Sequence, residues 1–152
     1  MQSEPVDIEL IALTKRYGQA VAVDGIHLRV VAGSYCCLLG PSGCGKTSTL
    51  RMIAGHEVVS DGAVLLGGRN ITALPAAARG TAMMFQSYAL FPHLNALDNV
   101  AFSLKMRGIA KPERHQRARR LLDLVAMGGY AGRRPDQLSG GQQQRIALAR
   151  AL

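Results

Sequence analysis

A glycine-rich segment at residues 40–47, Gly-Pro-Ser-Gly-Cys-Gly-Lys-Thr, constrains the fold of this chain more than any other feature. It follows the apolar run 34–39 and opens a segment with helical character that ends at Gly55. The run is apolar on both faces, which is typical of a strand covered on both sides in a parallel sheet. The sequence therefore predicts an α/β fold built around a strand–loop–helix unit.

The same segment predicts a binding site for nucleotide phosphates. Glycines let the backbone curl so that successive N–H groups face the phosphate oxygens, and the helix N-terminus adds partial positive charge. We expect Lys46 to reach the β- and γ-phosphates and Thr47 to ligate Mg²⁺. The alternative is a merely structural glycine turn. The expected binding residues are Gly40, Pro41, Ser42, Gly43, Cys44, Gly45, Lys46, Thr47 and, as a lesser candidate, Ser48.

Cys44 lies inside this loop, and we expect its alkylation to block nucleotide binding. The alternative is that Cys44 is only a small, tolerated side chain. The adjacent Cys36 and Cys37 are expected to pack inertly in the buried strand, because free cysteines are usually buried. The three cysteines show no metal-ligand spacing.

Hydrophobic periodicity predicts the remaining elements. Strands are expected at 6–13, 21–23, 26–31, 64–66 and 81–85, with Asp24-Gly25 as a hairpin turn. Helices are expected at 46–54, at 98–107, from Lys111 to Gly128-Gly129, and after the 139–141 turn, where Ile146, Leu148 and Ala149 form the apolar side.

The net charge of +8 is concentrated between residues 105 and 120. Seven basic residues there are opposed only by Glu113. Such a stretch can bind nucleic acid, anionic lipid or an acidic partner, or can be a solvated helix face. No apolar run is long enough to span a bilayer, and residues 1–7 lack the features of a secretory signal, so we expect a cytoplasmic protein.

Two further segments carry a family resemblance. They are Leu-Ser-Gly-Gly-Gln-Gln-Gln-Arg at 138–145 and Met-Phe-Gln-Ser-Tyr-Ala-Leu-Phe-Pro-His at 84–93. Together with the 40–47 segment, called the phosphate loop below, they make residues 6–152 resemble an ATP-binding-cassette (ABC) transporter ATPase. The resemblance is greatest to the importer group for polyamines, ferric iron, sulfate and sugars. The resemblance implies an α/β P-loop NTPase core with an N-terminal antiparallel β subdomain and a helical subdomain. Residues 1–152 would form a partial ABC ATPase domain. The β subdomain and P-loop core would span about 5–91, the helical subdomain about 92–138, and the signature helix 139–152.

The resemblance also implies residue roles, with ATP and Mg²⁺ as cofactors. Tyr17 would stack on adenine. Gln86 would contact Mg²⁺ or the attacking water, sharing the catalytic role with Lys46. The signature residues would meet the γ-phosphate bound by a second copy of the chain; they are Leu138, Ser139, Gly140, Gly141 and Gln142. Phe91, His93 and Leu94 match positions that dock a membrane subunit.

The implied function is that of the ATP-hydrolysing subunit of an importer, working as a dimer on the inner face of the cell membrane. Its partners would be transmembrane permease subunits and a substrate-binding protein, with a spermidine- or putrescine-like cargo and no nucleic acid. The alternatives are a soluble ABC-type ATPase acting on nucleic acid or ribosomes, and a truncated form that binds ATP without hydrolysing it. In the family, the Walker B Asp and the catalytic Glu follow the position of Leu152. We therefore expect the 152-residue chain to hydrolyse ATP very slowly and to be poorly stable alone.

Overall fold

The structure is a computed structural model that describes residues 6–152. Residues 1–5, where no secretory signal is expected, lie outside this range. The described residues fall into two compact units, one ending at Thr81 and one beginning at Ala82. The subdomain boundaries expected near residues 91 and 138 stay predictions.

An antiparallel sheet forms the first unit. Its strands are β1 (Ile8–Tyr17), β2 (Ala20–Val30), β3 (Asp61–Leu66) and β4 (Arg69–Asn70), in the order β2-β1-β3-β4. Helix α1 (Lys46–Ala54) ends at Gly55, as predicted. Apolar side chains of the sheet pack with α1 in one core, formed by Leu10, Leu13, Val23, Met52, Val64 and Ile71. The predicted antiparallel β region is therefore confirmed.

Two predicted strands are absent from the described part of the chain. Neither 34–39 nor 81–85 has strand structure there. Tyr35 is 95% exposed and Leu39 is 87% exposed, and Cys36 and Cys37 are exposed too, so the predicted inert packing of the two cysteines is wrong. A strand of a parallel sheet needs neighbours for its backbone N–H and C=O groups. Among residues 6–152, no strand pairs with either segment.

The predicted hairpin turn at Asp24-Gly25 is also wrong. The chain reverses at Gly18-Gln19, and β2 runs through Asp24-Gly25 without ending. The pairing register shifts there, because β2 has one more residue than β1 between the pairs Leu13–Ile26 and Lys15–Val23. Gly25 has a left-handed φ of 54°. A glycine in this conformation forms a β-bulge, which the turn signature resembles.

Helices form the second unit: α2 (Ala96–Val100), α3 (Phe102–Met106), α4 (Lys111–Leu124) and α5 (Gly140–Ala151). The predicted helix at 98–107 is divided at Ala101, and α4 ends earlier than predicted. Leu148 is 45% exposed, whereas its neighbour Ala147 is buried, which corrects the predicted apolar side of α5. The core of this unit contains Ala96, Leu97, Val100, Ala101, Ala118, Leu122, Met127, Leu138, Ile146 and Ala149. Among residues 6–152, none of the helices has the length and apolar character needed to cross a bilayer.

Candidate nucleotide-binding site

The phosphate loop packs directly against strand β2 at Gly45. This residue has a φ of 90°, and a Cβ atom added to it would lie 2.4 Å from the carbonyl oxygen of Ala22. Both the backbone conformation and the close contact therefore require glycine. As a result, the end of the loop has a fixed position against the sheet, immediately before α1 begins.

Lys46 holds its ammonium group inside the loop. Its Nζ donates hydrogen bonds to the carbonyl oxygens of Gly40 at 2.7 Å and Pro41 at 2.6 Å. The same Nζ lies 3.4 Å from Sγ of Cys44. The loop thus places one fixed positive charge, and the exposed Cys44 thiol, at the start of α1.

The first turn of α1 presents unused donors. The backbone N–H and the hydroxyl of Thr49 both donate to the Gly45 carbonyl, at 2.8 and 2.9 Å. The N–H groups of Lys46, Thr47 and Ser48 precede this first helical bond, so the helix itself supplies them with no acceptor. No acidic residue occupies the first turn. An anion is the partner that such an arrangement favours.

The chemistry of these groups fits a nucleoside triphosphate with Mg²⁺. Main-chain donors and an ammonium match phosphate oxygens, and the exposed Thr47 hydroxyl is a hard oxygen ligand of the kind that Mg²⁺ accepts. Within residues 6–152, no cluster of three or more His, Cys, Asp or Glu side chains could hold a metal ion. At the loop, Mg²⁺ would be held by the Thr47 hydroxyl together with phosphate oxygens and water.

Arg79 fixes the opposite end of α1. Its buried guanidinium donates to the carbonyl oxygens of Met52 at 2.6 Å and Ile53 at 3.0 Å, in the last turn of the helix. It also donates to the carbonyls of Leu74 and Thr72, each at 2.7 Å. Burial lowers the pKa of Arg79. Sequence reasoning missed this residue, because bonds between a guanidinium and distant carbonyls leave no local pattern.

Tyr17 lies at the end of the β1–β2 hairpin that contacts the loop. It pairs with Ala20, two residues before the Ala22 carbonyl that touches Gly45. Tyr17 is 48% exposed, and the centre of its ring lies 4.7 Å from the Lys15 ammonium. Lys15 in turn forms an ion pair with Glu57 at 2.7 Å, and this bond is the main cause of the lowered pKa of Glu57.

The signature segment forms the N-terminus of α5 in the second unit. Ser139 caps the helix: its Oγ accepts from the Gln142 N–H at 3.3 Å, and its N–H donates to Gln142 Oε1 at 2.9 Å. Leu138 is buried and anchors the segment. A Cβ added to Gly141 would meet open space, so the first turn of α5 is accessible.

The segment around Gln86 is tied to the other end of α5. Gln86 is exposed in a turn, and the following Tyr88 and Ala89 have left-handed φ angles of 59° and 47°. The Arg150 guanidinium donates to both of their carbonyls, at 3.0 Å for Tyr88 and 2.6 Å for Ala89. Burial lowers the pKa of Arg150. This contact joins residues more than sixty positions apart, which is why the sequence did not predict it.

The predicted site residues thus form two groups. The phosphate-loop residues and Tyr17 belong to the first compact unit, whereas Gln86 and the signature residues belong to the second.

Comparison with known proteins identifies the chain's relatives. The family model described as ABC transporter matches residues 23–152. The Fe(3+) ions import ATP-binding protein FbpC of Brucella abortus is 49% identical over 148 residues, which cover 97% of this chain and 42% of that protein. The spermidine/putrescine import ATP-binding protein PotA of Frankia alni is 53% identical over 152 residues, covering 97% of this chain and 33% of the relative. The chain therefore spans less than half the length of these curated relatives.

Solved structures support the same assignment. The dimeric structure of MJ0796, described as a bacterial ABC transporter cassette, matches with a TM-score of 0.85 and 33% identity, over 95% of this chain and 68% of that one. A dimeric post-hydrolysis state of MJ0796 bound to ADP and Pi gives a TM-score of 0.84 and 31% identity, with the same shares covered. The fold is that of an ABC ATPase cassette, as predicted, and this chain belongs to the ABC transporter family.

Proposed function

We propose that this chain is the nucleotide-binding part of an ABC importer subunit, and that the 40–47 loop binds ATP with Mg²⁺. The observation that carries the proposal is the loop itself. Gly45 is fixed against Ala22, Lys46 holds an ammonium among the loop carbonyls, and the first turn of α1 offers free N–H donors. This arrangement provides several preorganised donors for phosphate oxygens and positive charge at one point.

The remaining residues take the roles that the family resemblance implies. Tyr17 stacks on the adenine, and Thr47 contributes its hydroxyl to Mg²⁺. Gln86 orients the metal or the attacking water. The exposure of Tyr17, at the end of the hairpin whose Ala22 approaches Gly45, supports its role.

The signature segment acts on ATP bound by a second copy of the subunit. Ser139 Oγ accepts from the Gln142 N–H, yet the Ser139 hydroxyl proton and the N–H groups of Gly140 and Gly141 remain available to an anion. The solved MJ0796 cassettes described above are dimeric, which supports a two-copy arrangement. Each ATP would then contact both subunits, and ATP binding would stabilise the dimer.

In the whole protein, ATP hydrolysis would drive solute import through transmembrane permease subunits supplied by a substrate-binding protein. The subunit would lie on the cytoplasmic face of the membrane. The import functions in the names of the FbpC and PotA relatives support this assignment over a soluble ATPase that acts on nucleic acid or ribosomes. We infer a polyamine cargo, supported by the 53% identity to a relative named for spermidine and putrescine import.

A binding measurement tests the nucleotide site. The protein expressed from its own gene is titrated with MgATP and with MgAMP by calorimetry. We expect ATP binding in the wild type and at least about a tenfold loss of affinity in Lys46→Ala, because a charge-assisted contact to phosphate is removed. Lys105→Ala removes an exposed lysine of α3 and serves as the matched control. Equal affinity in wild type and Lys46→Ala would contradict the proposed site.

An uptake measurement tests the cargo separately. Cells lacking the gene are compared with the parent strain for uptake of labelled spermidine and of labelled ferric iron. Loss of spermidine uptake alone supports a polyamine cargo. Loss of iron uptake alone would overturn the cargo while leaving the ATP site untouched.

A further inference from the structure

The net positive charge of this chain is almost entirely in its second unit. From residue 82 onward, the chain contains eleven Lys and Arg residues and four Asp and Glu residues, for a net charge of +7. Residues 1–81 contain seven basic and six acidic residues, for a net charge of +1. The proposed ATP site in the first unit does not explain this excess.

Five of these cations lie on α3, on α4 or just after α3, and together they are called the cationic surface. They are Lys105, Arg107, Lys111, Arg119 and Arg120, and all five are exposed. Among residues 6–152 none of these five side chains has a hydrogen-bond or ion-pair partner. By contrast, Arg117 pairs with Glu113 at 2.5 Å and Arg114 donates to the Ile109 carbonyl at 3.2 Å. Free cations at this density repel one another unless an anionic partner is present.

The packing of α4 keeps this surface directed outward. Ala118 and Leu122 are fully buried in the core of the unit, which leaves Arg119 and Arg120 on the solvent side of the helix. His115 reinforces this orientation through its contact with Asp98 of α2 at 2.9 Å. Arg119 and Arg120 are therefore presented by a helix that is anchored in the core.

Two exposed apolar side chains accompany the charges. Met106, between Lys105 and Arg107, is 70% exposed, and Leu124, one turn beyond Arg120, is 73% exposed. Basic residues beside exposed aliphatic ones are typical of surfaces that bind the membrane interface. Phe102 is the one Phe, Tyr or Trp of α3 and α4, and its ring packs against that of Phe91 with the centroids 4.3 Å apart. The cationic surface therefore has no free aromatic ring of the kind on which single-stranded nucleic acids stack.

We propose that the cationic surface binds the headgroups of anionic phospholipids, with Met106 and Leu124 entering the interface between headgroups and acyl chains. This contact is separate from the ATP site and goes beyond the proposed transport function. It gives the subunit an attachment to the membrane that depends on lipid charge as well as on permease subunits.

Vesicle flotation tests the proposal without nucleotide. The purified protein is mixed with vesicles of phosphatidylcholine alone, or with about a third of phosphatidylglycerol, at low and high salt. We expect binding only to the anionic vesicles, weakened by salt, and at least about tenfold weaker in the double variant Arg119→Glu/Arg120→Glu. Met106→Ser/Leu124→Ser should reduce the part of the binding that survives high salt.

A charge-matched control separates the surface from net charge. The double variant Arg51→Glu/Arg69→Glu replaces two exposed arginines of the first unit and changes the net charge by the same amount as Arg119→Glu/Arg120→Glu. It should bind the vesicles like the wild type. Circular dichroism verifies that each variant is folded. If Arg119→Glu/Arg120→Glu does not fold, Arg119→Gln/Arg120→Gln replaces it. Equal binding to both kinds of vesicle, or an equal loss in the control, would overturn the proposal. Binding of duplex DNA or RNA through the same arginines, without vesicle binding, would replace it with a nucleic-acid surface.

Discussion

At the scale of single residues, the phosphate loop depends on a few atoms that cannot be exchanged. Gly45 has no room for a side chain because the Ala22 carbonyl lies where its Cβ would be. The Lys46 ammonium donates hydrogen bonds to the Gly40 and Pro41 carbonyls of the same loop. Cys44 is exposed beside that lysine. Each of these contacts predicts the effect of a defined chemical change.

The substitution Gly45→Ala should lower the free energy of unfolding by more than a left-handed backbone conformation alone would. Gly33→Ala is the control, since Gly33 also has a left-handed φ, of 70°, but open space around its Cβ position. We expect Gly33→Ala to lower the free energy of unfolding by about 1 kcal/mol. Gly45→Ala should cost several times as much and should weaken ATP binding, because the loop must move away from β2. Equal unfolding midpoints for the two variants in a denaturant titration would contradict the close contact.

Alkylation of Cys44 should block ATP binding, and ATP should protect the thiol. A bulky group on its Sγ would lie beside the Lys46 ammonium and against Gly40, where an added Cβ would be only 2.7 Å from the sulfur. Cys36 and Cys37 are exposed as well and serve as internal controls. Peptide mass spectrometry after a maleimide pulse measures the three rates. MgATP should slow labelling at Cys44 alone, so equal slowing at all three positions would contradict the assignment.

At the scale of elements, side chains that bridge distant segments set the geometry of the strands and helices. Asp7 joins the start of β1 to the end of β2: its Oδ1 accepts from the Ala32 N–H at 2.8 Å, and its Oδ2 from Arg29 at 2.6 Å. Arg79 fixes the C-terminus of α1, and Arg150 joins α5 to the segment after Gln86.

The Asp7 bridge should make stability depend on pH. The Ala32 N–H and then Arg29 hold the pKa of Asp7 below its ordinary value of 3.8. The bridge therefore contributes stability above about pH 4, and this contribution is lost as the pH falls through the lowered pKa. Asp7→Asn should be less stable than the wild type at neutral pH, and the gap in melting temperature should narrow in acid. A gap that widens in acid would contradict the direction of the pKa change.

Removal of Arg150 should loosen the Gln86 segment without affecting the phosphate loop directly. Two hydrogen bonds from a charged donor contribute about 1.5–3 kcal/mol each, and they hold consecutive residues in a strained left-handed conformation. In Arg150→Ala we expect faster hydrogen exchange at residues 86–91, with ATP affinity within about twofold of the wild type. Arg145→Ala, an exposed arginine of the same helix, is the control. Unchanged exchange in Arg150→Ala would show that the contact does not hold the segment.

The elements that the sequence predicted correctly are those whose signals are local. The glycine loop, α1 with its Gly55 end, and the helix expected after the 139–141 turn, which begins at Gly140, each depend on neighbours within a few residues. The predicted strand at 34–39 failed because strand structure requires a pairing partner, which composition cannot supply. Asp24-Gly25 matched a hairpin turn because turns and bulges both need a glycine with positive φ. Arg79 and Arg150 were missed because their partners are remote in sequence.

At the scale of the whole molecule, the two proposed halves of the ATP site belong to different compact units. The phosphate loop begins α1 in the first unit, and the signature begins α5 in the second. Each half is proposed to work with the other half from a second copy of the subunit. ATP then acts as part of the interface between the two subunits.

Mixing two defective variants tests this account most directly. Lys46→Ala removes the phosphate-loop ammonium, and Ser139→Asp keeps a helix-capping side chain while placing a negative charge where the partner's γ-phosphate would lie. A dimer of one variant with the other contains one intact composite site and one that is defective in both halves. Light scattering with a slowly hydrolysed ATP analogue should show dimers for the wild type and for the mixture, and monomers for each variant alone. A wild type that dimerises beside a mixture that stays monomeric, or variants that dimerise alone as well as the wild type, would contradict the account.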